Sequence, residues 1–578
     1  MKVIVTTLNA KYIHMNLALR YLKAYAEPEF PVEMVEYTIK EPIISIVSDL
    51  YRRNPDVIGF SCYIWNIEET LKIIENLKKI KPDVKIILGG PEVCYEPIHF
   101  MEKHKGIDII VMGEGEGPFK ELLECYSTGR SISEVRGIAY RLDGKIKINP
   151  QAPYLDLKTI PSPFRFEEDR KELANRIIYI EGSRGCPFQC QYCVSSIEQG
   201  VRYFDPDQVK EDIRYLIRNG ARTIKFADRT FNMHYKKALD MFQFLIDEYV
   251  PGLTYQFEIQ ADILKQEIID FLNEHAPKGA FRFEIGIQST NEETIKQVKR
   301  RQNFERLQNA IQQLKDGGKI VLHLDLIAGL PEEDYESFKK TFNETFELRP
   351  EELQLGFLKM LRGTGMRLRA KEWEYEYMDH PPYEVLQNNV LTFDDILRIK
   401  QAEDILEKYW NKHRMDTTVE YLAFQTYETP FDFFQRFGEY WEKQGWERIG
   451  YQTEDLFIRL KEFLQWENTP NFDIALALMK FDYLYRLKLK PRKVWWEPDF
   501  AKDERIQLYH KRNLLPLPEE IINLSEREWM KQIMILPIPF DLTYYLKTGS
   551  FLHLPNILLF NYDGKGNCQY FQIKVENR

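Results

Sequence analysis

Nowhere in the 578 residues does an apolar run approach the roughly 18 that a membrane-spanning helix needs, so no such span is expected. Cysteine is scarce. Of the seven present, Cys62, Cys94, Cys125 and Cys568 lie far apart with no paired spacing, which excludes a disulfide framework. Positive charge is also short, at 79 Lys and Arg against 89 Asp and Glu. The net charge of -10 argues against an unaided grip on nucleic acid, and the basic stretch 486–493 reads as a solvated helix end. The opening residues alternate like a strand and lack the apolar core of a signal peptide, so a cytoplasmic location is expected.

What is present is a long chain with 44% hydrophobic and 29% charged residues, enough for three or four domains at about 150 residues each. Apolar runs at 2–6, 32–36, 56–61, 84–88 and 108–112 alternate with amphipathic stretches, the pattern of a doubly wound parallel sheet. Ligands of such sheets sit beyond the carboxyl ends of the strands. The residues there are small or polar: 9–12, 61–66, Gly89-Gly90-Pro91-Glu92 and 113–117. By themselves they indicate a nucleotide-like ligand.

Residues 137–148 read as a hairpin with an Asp143-Gly144 turn, and the Pro-rich stretch 155–163 follows as a linker. From Arg176 strands recur at 177–180, 223–226, 255–259, 281–287, 320–327 and 353–358, with helical stretches between them. Six strand-helix units imply a parallel barrel or part of one. Its strand ends carry Asp228, Glu258, Gln260, Glu284, Gln288 and Asp325. Beyond Met378 the chain turns aromatic-rich and helical, with eight of the nine tryptophans after residue 370, and 543–575 reads as a few final strands. Helical spacing accounts for many of these aromatics, so they are expected to be core.

The most specific stretch is the loop 185–193, in which Cys186, Cys190 and Cys193 follow a C-x3-C-x2-C spacing. Three thiols in one loop can turn toward one point, and three is one fewer than a closed zinc or iron-sulfur site takes. A cluster held this way keeps one iron open. A zinc knuckle with a distant fourth ligand, or three buried thiols, are the alternatives that spacing leaves.

This loop resembles the signature of radical S-adenosylmethionine (SAM) enzymes, and residues 1–365 resemble those that also carry a cobalamin (B12) domain. The resemblance implies an α/β chain with a Rossmann-like cobalamin-binding domain at 1–130, a hairpin and linker at 131–175, a partial (β/α)6 barrel at 176–370 and a mainly helical extension at 371–578. That extension is similar to the uncharacterised DUF4080-like region of one subgroup. It further implies a [4Fe-4S] cluster on Cys186, Cys190 and Cys193. SAM would lie along Asp228, Glu258, Gln260, Glu284, Gln288 and Asp325, of which Asp228 and Glu284 are expected to matter most. Cobalamin would lie along Asn9, Ser61, Tyr63, Trp65, Gly89, Gly90, Glu114 and Gly115.

In one respect the chain departs from many B12 proteins. The D-x-H-x-x-G motif that brings a histidine to cobalt is missing; Asn9 to His14 occupies that loop with different spacing. Cobalt is therefore expected base-off, without an imidazole, and with Tyr63 or Trp65 beneath the corrin.

The activity implied is reductive cleavage of SAM to a 5'-deoxyadenosyl radical and methylation of an unactivated carbon. Radical cyclisation or rearrangement is the alternative on the same scaffold. An electron donor such as flavodoxin or ferredoxin is implied, and a substrate that sequence does not name. An RNA methylthiotransferase, a second alternative, binds a further cluster through three N-terminal cysteines, but here no cysteine occurs in the first strand loop and Cys125 lies on the apolar face of a helix; a non-catalytic B12 or light sensor would have little use for the polar strand ends.

Overall fold

The computed structural model describes residues 1–197, 200–564 and 566–574. They divide into two compact units, residues 1–396 and 397–578. In the first unit a seven-stranded sheet comes first: β1 (Val3–Asn9), β2 (Val32–Thr38), β3 (Val57–Ser61), β4 (Lys85–Gly89), β5 (Ile109–Val111), β6 (Ile138–Leu142) and β7 (Lys145–Ile148). Its order is β2-β1-β3-β4-β5-β6-β7. Every residue of β1, β3 and β5 is buried, as expected of parallel strands covered by helices on both faces. One face packs Ile4, Ile58 and Ile86 and the other Val5, Val57 and Ile87.

The hairpin expected to belong to a linker extends this sheet instead. Val111 pairs antiparallel with Ile138, and the Met112 amide donates to Gly137 O at 2.8 Å, so β6 and β7 cap the edge that β5 would otherwise expose.

The second sheet contains β8 (Ile177–Ile180), β11 (Thr223–Phe226), β12 (Thr254–Glu258), β13 (Phe281–Gln288), β14 (Val321–Ala328) and β15 (Glu352–Phe357), all parallel and in sequence order. It is an open, six-stranded partial barrel. A short pair, β9 (Ser183–Arg184) and β10 (Arg202–Tyr203), flanks the cysteine loop. Strict alternation in β13 buries Phe281, Phe283, Ile285 and Ile287, while Arg282, Glu284 and Gln288 face the other way. The buried face meets an aromatic layer, with Phe257 within 5.2 Å of Phe226, Phe231 and Phe242, ring centre to ring centre. After the barrel come β16 (Glu376–Tyr377) and β17 (Val385–Gln387), an antiparallel pair.

The second unit is mainly helical, with Pro430–Lys443, Thr453–Trp466 and Phe472–Arg486 packed through buried aromatic faces. Phe437 and Phe463 stack at 4.5 Å, and Trp441 is among the largest fully buried side chains. The expected final strands are corrected in part. Leu542–Thr548 is a helix, because Asp541 caps it by accepting from the Tyr544 amide at 2.9 Å and Gly549 ends it at φ +69°. The antiparallel sheet here is β18 (Ile533–Ile538), β19 (Asn556–Tyr562) and β20 (Cys568–Lys574). Val575, the end of the expected stretch, lies outside the described residues. No helix among the described residues is long and apolar enough to cross a membrane.

Candidate functional site

A cavity of about 700 Å³ opens in the first unit where the carboxyl ends of β1, β3 and β4 face those of β8, β11 and β12. Asn9, Ser61, Tyr63, Trp65, Gly89, Gly90, Glu114 and Gly115 all line it. They do so for one reason: each ends a strand, or follows it within a few residues, on the same edge of a parallel sheet.

The loop after β3 is tied down by Asn66, whose buried amide donates to Ser61 O at 3.0 Å and Leu8 O at 3.1 Å while its oxygen accepts from the Tyr63 amide at 2.8 Å. This presents Tyr63 and Trp65 as a parallel stack, 4.5 Å apart and 5° from coplanar. Gly90, at φ +106°, lets the turn after β4 press on that loop; a Cβ there would stand 2.4 Å from Cys62 O. Asn9 and Glu114 line the cavity with the Asn9 amide nitrogen and the Glu114 carboxylate already engaged. Asn9 donates to Glu36 at 3.0 Å, and Glu114 pairs with Arg202 at 2.6 Å and Arg184 at 3.2 Å. Burial disfavours the Glu114 carboxylate, but hydrogen bonds from Arg202 and the Leu155 amide and the charge of Arg184 outweigh it and hold the pKa below the usual range.

His14 lines the same cavity, with Nδ1 2.9 Å from the Tyr179 hydroxyl. Burial, and then Lys11, Lys225 and Arg176, lower its pKa and keep the ring neutral.

The cysteine loop leaves β9 through Gly185, at φ +91°, where a Cβ would stand 2.2 Å from Gly200 O. Only glycine fits that crossing. Cys190 is buried, and Cys186 and Cys193 are half-buried. Among the described residues no three His, Cys, Asp or Glu side chains converge on a single ion. A [4Fe-4S] cubane takes one thiolate at each of three irons, so three thiols from one loop need not converge on a single ion to hold it.

Sequence reasoning missed Arg300. It donates to the Tyr192 hydroxyl at 2.9 Å and to Gln260 Oε1 at 3.2 Å, lies 4.0 Å from Cys190 Sγ, and also bonds Gly286 O. One guanidinium thereby ties the cysteine loop to the ends of β12 and β13. Beside it Gln288 sits at φ +69° after a bulge, with its buried Oε1 unpartnered, a strained and unsatisfied side chain at a strand end.

Of the six barrel candidates, Glu258 lines the cavity. Burial raises its pKa against the pull of Arg229 and Lys225. Glu284 pairs with Lys225 at 2.6 Å, and Asp325 lies 3.0 Å from His323 Nε2. Gln260 serves Arg300, as above.

Asp228 is not among the residues lining the cavity; its oxygens accept from the Gly182 amide at 2.8 Å and the Ser183 hydroxyl at 2.6 Å and so anchor the entry to the cysteine loop. Burial pushes its carboxyl up to about 7, against hydrogen bonds from Ser183 and Gly182. Because that lies above the ordinary 3.8, the folded chain favours the protonated form. The resulting stabilisation is complete below about pH 4 and is lost as the pH rises through about 7. Asp228→Asn in the apoprotein is therefore expected to shrink the fall in Tm between about pH 5 and about pH 8. An equal fall in both proteins would show that Asp228 does not titrate in this range.

The family model for the B12 binding domain matches residues 3–123, and that for the Radical SAM superfamily matches 180–345. The chain therefore carries a B12-binding domain followed by a Radical SAM domain. A third model, described as a protein of unknown function (DUF4080), matches 371–560.

It is 24% identical over 394 residues to the uncharacterized methyltransferase PH0819 of Pyrococcus horikoshii, covering 66% of this chain and 83% of that protein. To the cobalamin-dependent radical SAM methyltransferase TokK of Streptomyces tokunonensis it is 28% identical over 238 residues, covering 39% of this chain and 35% of TokK. The fold is shared with the radical SAM methyltransferase TsrM of Kitasatospora setae, solved with cobalamin and a [4Fe-4S] cluster. The TM-score is 0.57 at 16% identity, covering 66% of this chain and 82% of that one.

Proposed function

We propose that this chain is a cobalamin-dependent methyltransferase acting on an unactivated carbon, with a [4Fe-4S] cluster on Cys186, Cys190 and Cys193. The observation that carries this reading is the single cavity lined both by the strand ends of the B12-binding domain and by barrel residues beside the cysteine loop. When bound, the cluster and SAM supply a radical able to take hydrogen from carbon, and cobalamin supplies the methyl group.

The chain's own part is to hold and to shield. Ser61, Gly89 and Gly90 offer a side-chain-poor channel for the nucleotide tail, and the Tyr63-Trp65 stack offers a flat surface beneath a corrin. Arg300 and Asp228 hold the cysteine loop against the barrel. Glu258, and Glu284 through Lys225, set the charge at the barrel mouth, where SAM brings a sulfonium and an ammonium. Buried in a cavity, these contacts are stronger than in water. An external one-electron donor such as a flavodoxin or ferredoxin completes the system.

The test is anaerobic reconstitution with iron, sulfide and hydroxocobalamin, followed by reduction in the presence of SAM. The expected result is about four irons and one corrin per chain, with 5'-deoxyadenosine formed slowly even without substrate. About eight irons, or a chain that takes up no corrin, would overturn the reading. Cobalt coordination is read from the electron paramagnetic resonance spectrum of the cobalt(II) form. Because the histidine motif is missing, the expectation is no nitrogen splitting from protein and a spectrum altered by Trp65→Ala or Tyr63→Phe. Nitrogen splitting that disappears in His14→Ala would refute the base-off assignment.

A further inference from the structure

The short segment after β15 touches two loops whose separation matters to the proposed chemistry. Toward the B12-binding domain, Arg362 Nε donates to Glu92 Oε1 at 3.1 Å and Nη1 pairs with Glu96. These acids flank the turn after β4, from which Gly90, Pro91 and Tyr95 line the cavity. Gly363, at φ +78°, lies so close beneath Tyr95 that a Cβ would stand 2.6 Å from the ring. Toward the barrel, the Met366 amide donates to Gln191 O at 2.9 Å, and a Cβ on Gly365 would stand 2.0 Å from Gln191 Oε1. Gln191 is the residue after Cys190. Within five residues, then, the chain grips both loops, with Gly363 packed beneath the Tyr95 ring and Gly365 against the end of the Gln191 side chain.

The segment is braced by the first residues of the DUF4080 match. The Met360 amide donates to Tyr383 O at 2.8 Å and the Val385 amide to Leu358 O at 2.9 Å. The Tyr383 hydroxyl bonds Glu92 and accepts from Arg362 at 3.2 Å. Tyr383 and Glu92 are 2% and 4% exposed. Buried ion pairs of this kind add little stability over an apolar pair of the same shape, and their better-attested use is to fix a register.

We propose that residues 361–367 form a strut that sets the separation of the corrin-side loop from the cluster loop, with Arg362 as its positioning residue and the start of the DUF4080 domain as its brace. The proposal rests on the cobalamin and cluster sites proposed above.

The test uses the reconstituted holoprotein and two variants that act at opposite ends. Arg362→Met removes the contact to Glu92 and Glu96; Gly365→Ala crowds Gln191 and leaves the ion pairs intact. Amide hydrogen exchange is expected to quicken at least tenfold in both loops, 90–96 and 186–193, in each variant, with Arg362→Lys intermediate. The cobalt(II) signal should also show altered relaxation by the reduced cluster, since that depends on their separation.

Exchange that quickens only in the loop each variant touches would overturn the strut. So would a uniform rise across the chain with a lower Tm, which would make the segment a general stabiliser. If Arg362→Met does not fold, Gly365→Ala decides alone, through exchange in the distant 90–96 loop. A wild-type chain without corrin or iron would instead refute the proposed function, while exchange in the two loops would still decide the strut.

Discussion

Replacing Cys186, Cys190 and Cys193 together by alanine will take the iron of the reconstituted chain from about four atoms to none, and with it the reductive cleavage of SAM. Each single replacement is expected to lower deoxyadenosine formation to the level of a protein-free control, because a cubane that already leaves one iron to SAM cannot spare a second ligand. Folding should survive. Cys186 and Cys193 are half-buried, and truncating the buried Cys190 removes one sulfur, worth on the order of 1 kcal/mol. The measurements are iron and sulfide content, Tm and deoxyadenosine yield. Iron retained by the triple variant would place the cluster on other ligands, and a lost melting transition would mean the cysteines act through folding.

Gly90→Ala is expected to weaken cobalamin binding by roughly a hundredfold, about 3 kcal/mol, while iron content and SAM cleavage stay near wild type. Two costs add. A φ of +106° lies in a region that only glycine enters freely, and the new Cβ would stand 2.4 Å from Cys62 O and 3.1 Å from Cys62 N. Those are backbone atoms of a strand end held by the Cys62 amide on Gly89 O at 2.8 Å, so no rotamer change relieves the overlap. The turn must open or the loop that carries Tyr63 and Trp65 must move, and both border the proposed corrin channel. Gly129→Ala is the control: its φ of +76° carries strain of about 1–2 kcal/mol, but no atom lies within 4 Å of a Cβ there and it does not line the cavity. Equilibrium dialysis with hydroxocobalamin separates the two. Equal binding by Gly90→Ala and wild type would remove Gly90 from the site.

Much of the candidate site was legible because parallel sheets put their ligands where sequence can find them, immediately after strands. Apolar runs recurring between amphipathic stretches located β1 to β5 and all six barrel strands, and eight residues read from the ends of β1 and β3 to β5 meet in one cavity. Less legible was which polar side chains face it. Asp228 follows β11 as expected, whereas Glu284 and Asp325 lie midway along β13 and β14; Asp228 anchors Gly182 and Ser183, and Glu284 is held by Lys225. Arg300 and Arg184 escaped notice because a guanidinium reaches far from its own backbone, and no local pattern says where it lands. β18 was hidden for another reason: Ile533–Ile538 is a continuous apolar run broken by Pro537, a residue that a strand tolerates only at an edge, which is where the sheet puts it.

The sequence by itself determined the local elements, the cysteine spacing and the glycines at the turns, because these follow from backbone stereochemistry and from periodicities of a few residues. Tertiary structure alone decided that the 137–148 hairpin completes the first sheet, that Asp228 serves the cysteine loop, and that residues 361–367 grip two loops at once. Each of these pairs residues that are distant in the chain, Val111 with Ile138, Asp228 with Ser183, and Arg362 with Glu92. Such pairings depend on which surfaces meet when the sheets are buried together, and no short window of sequence contains both partners.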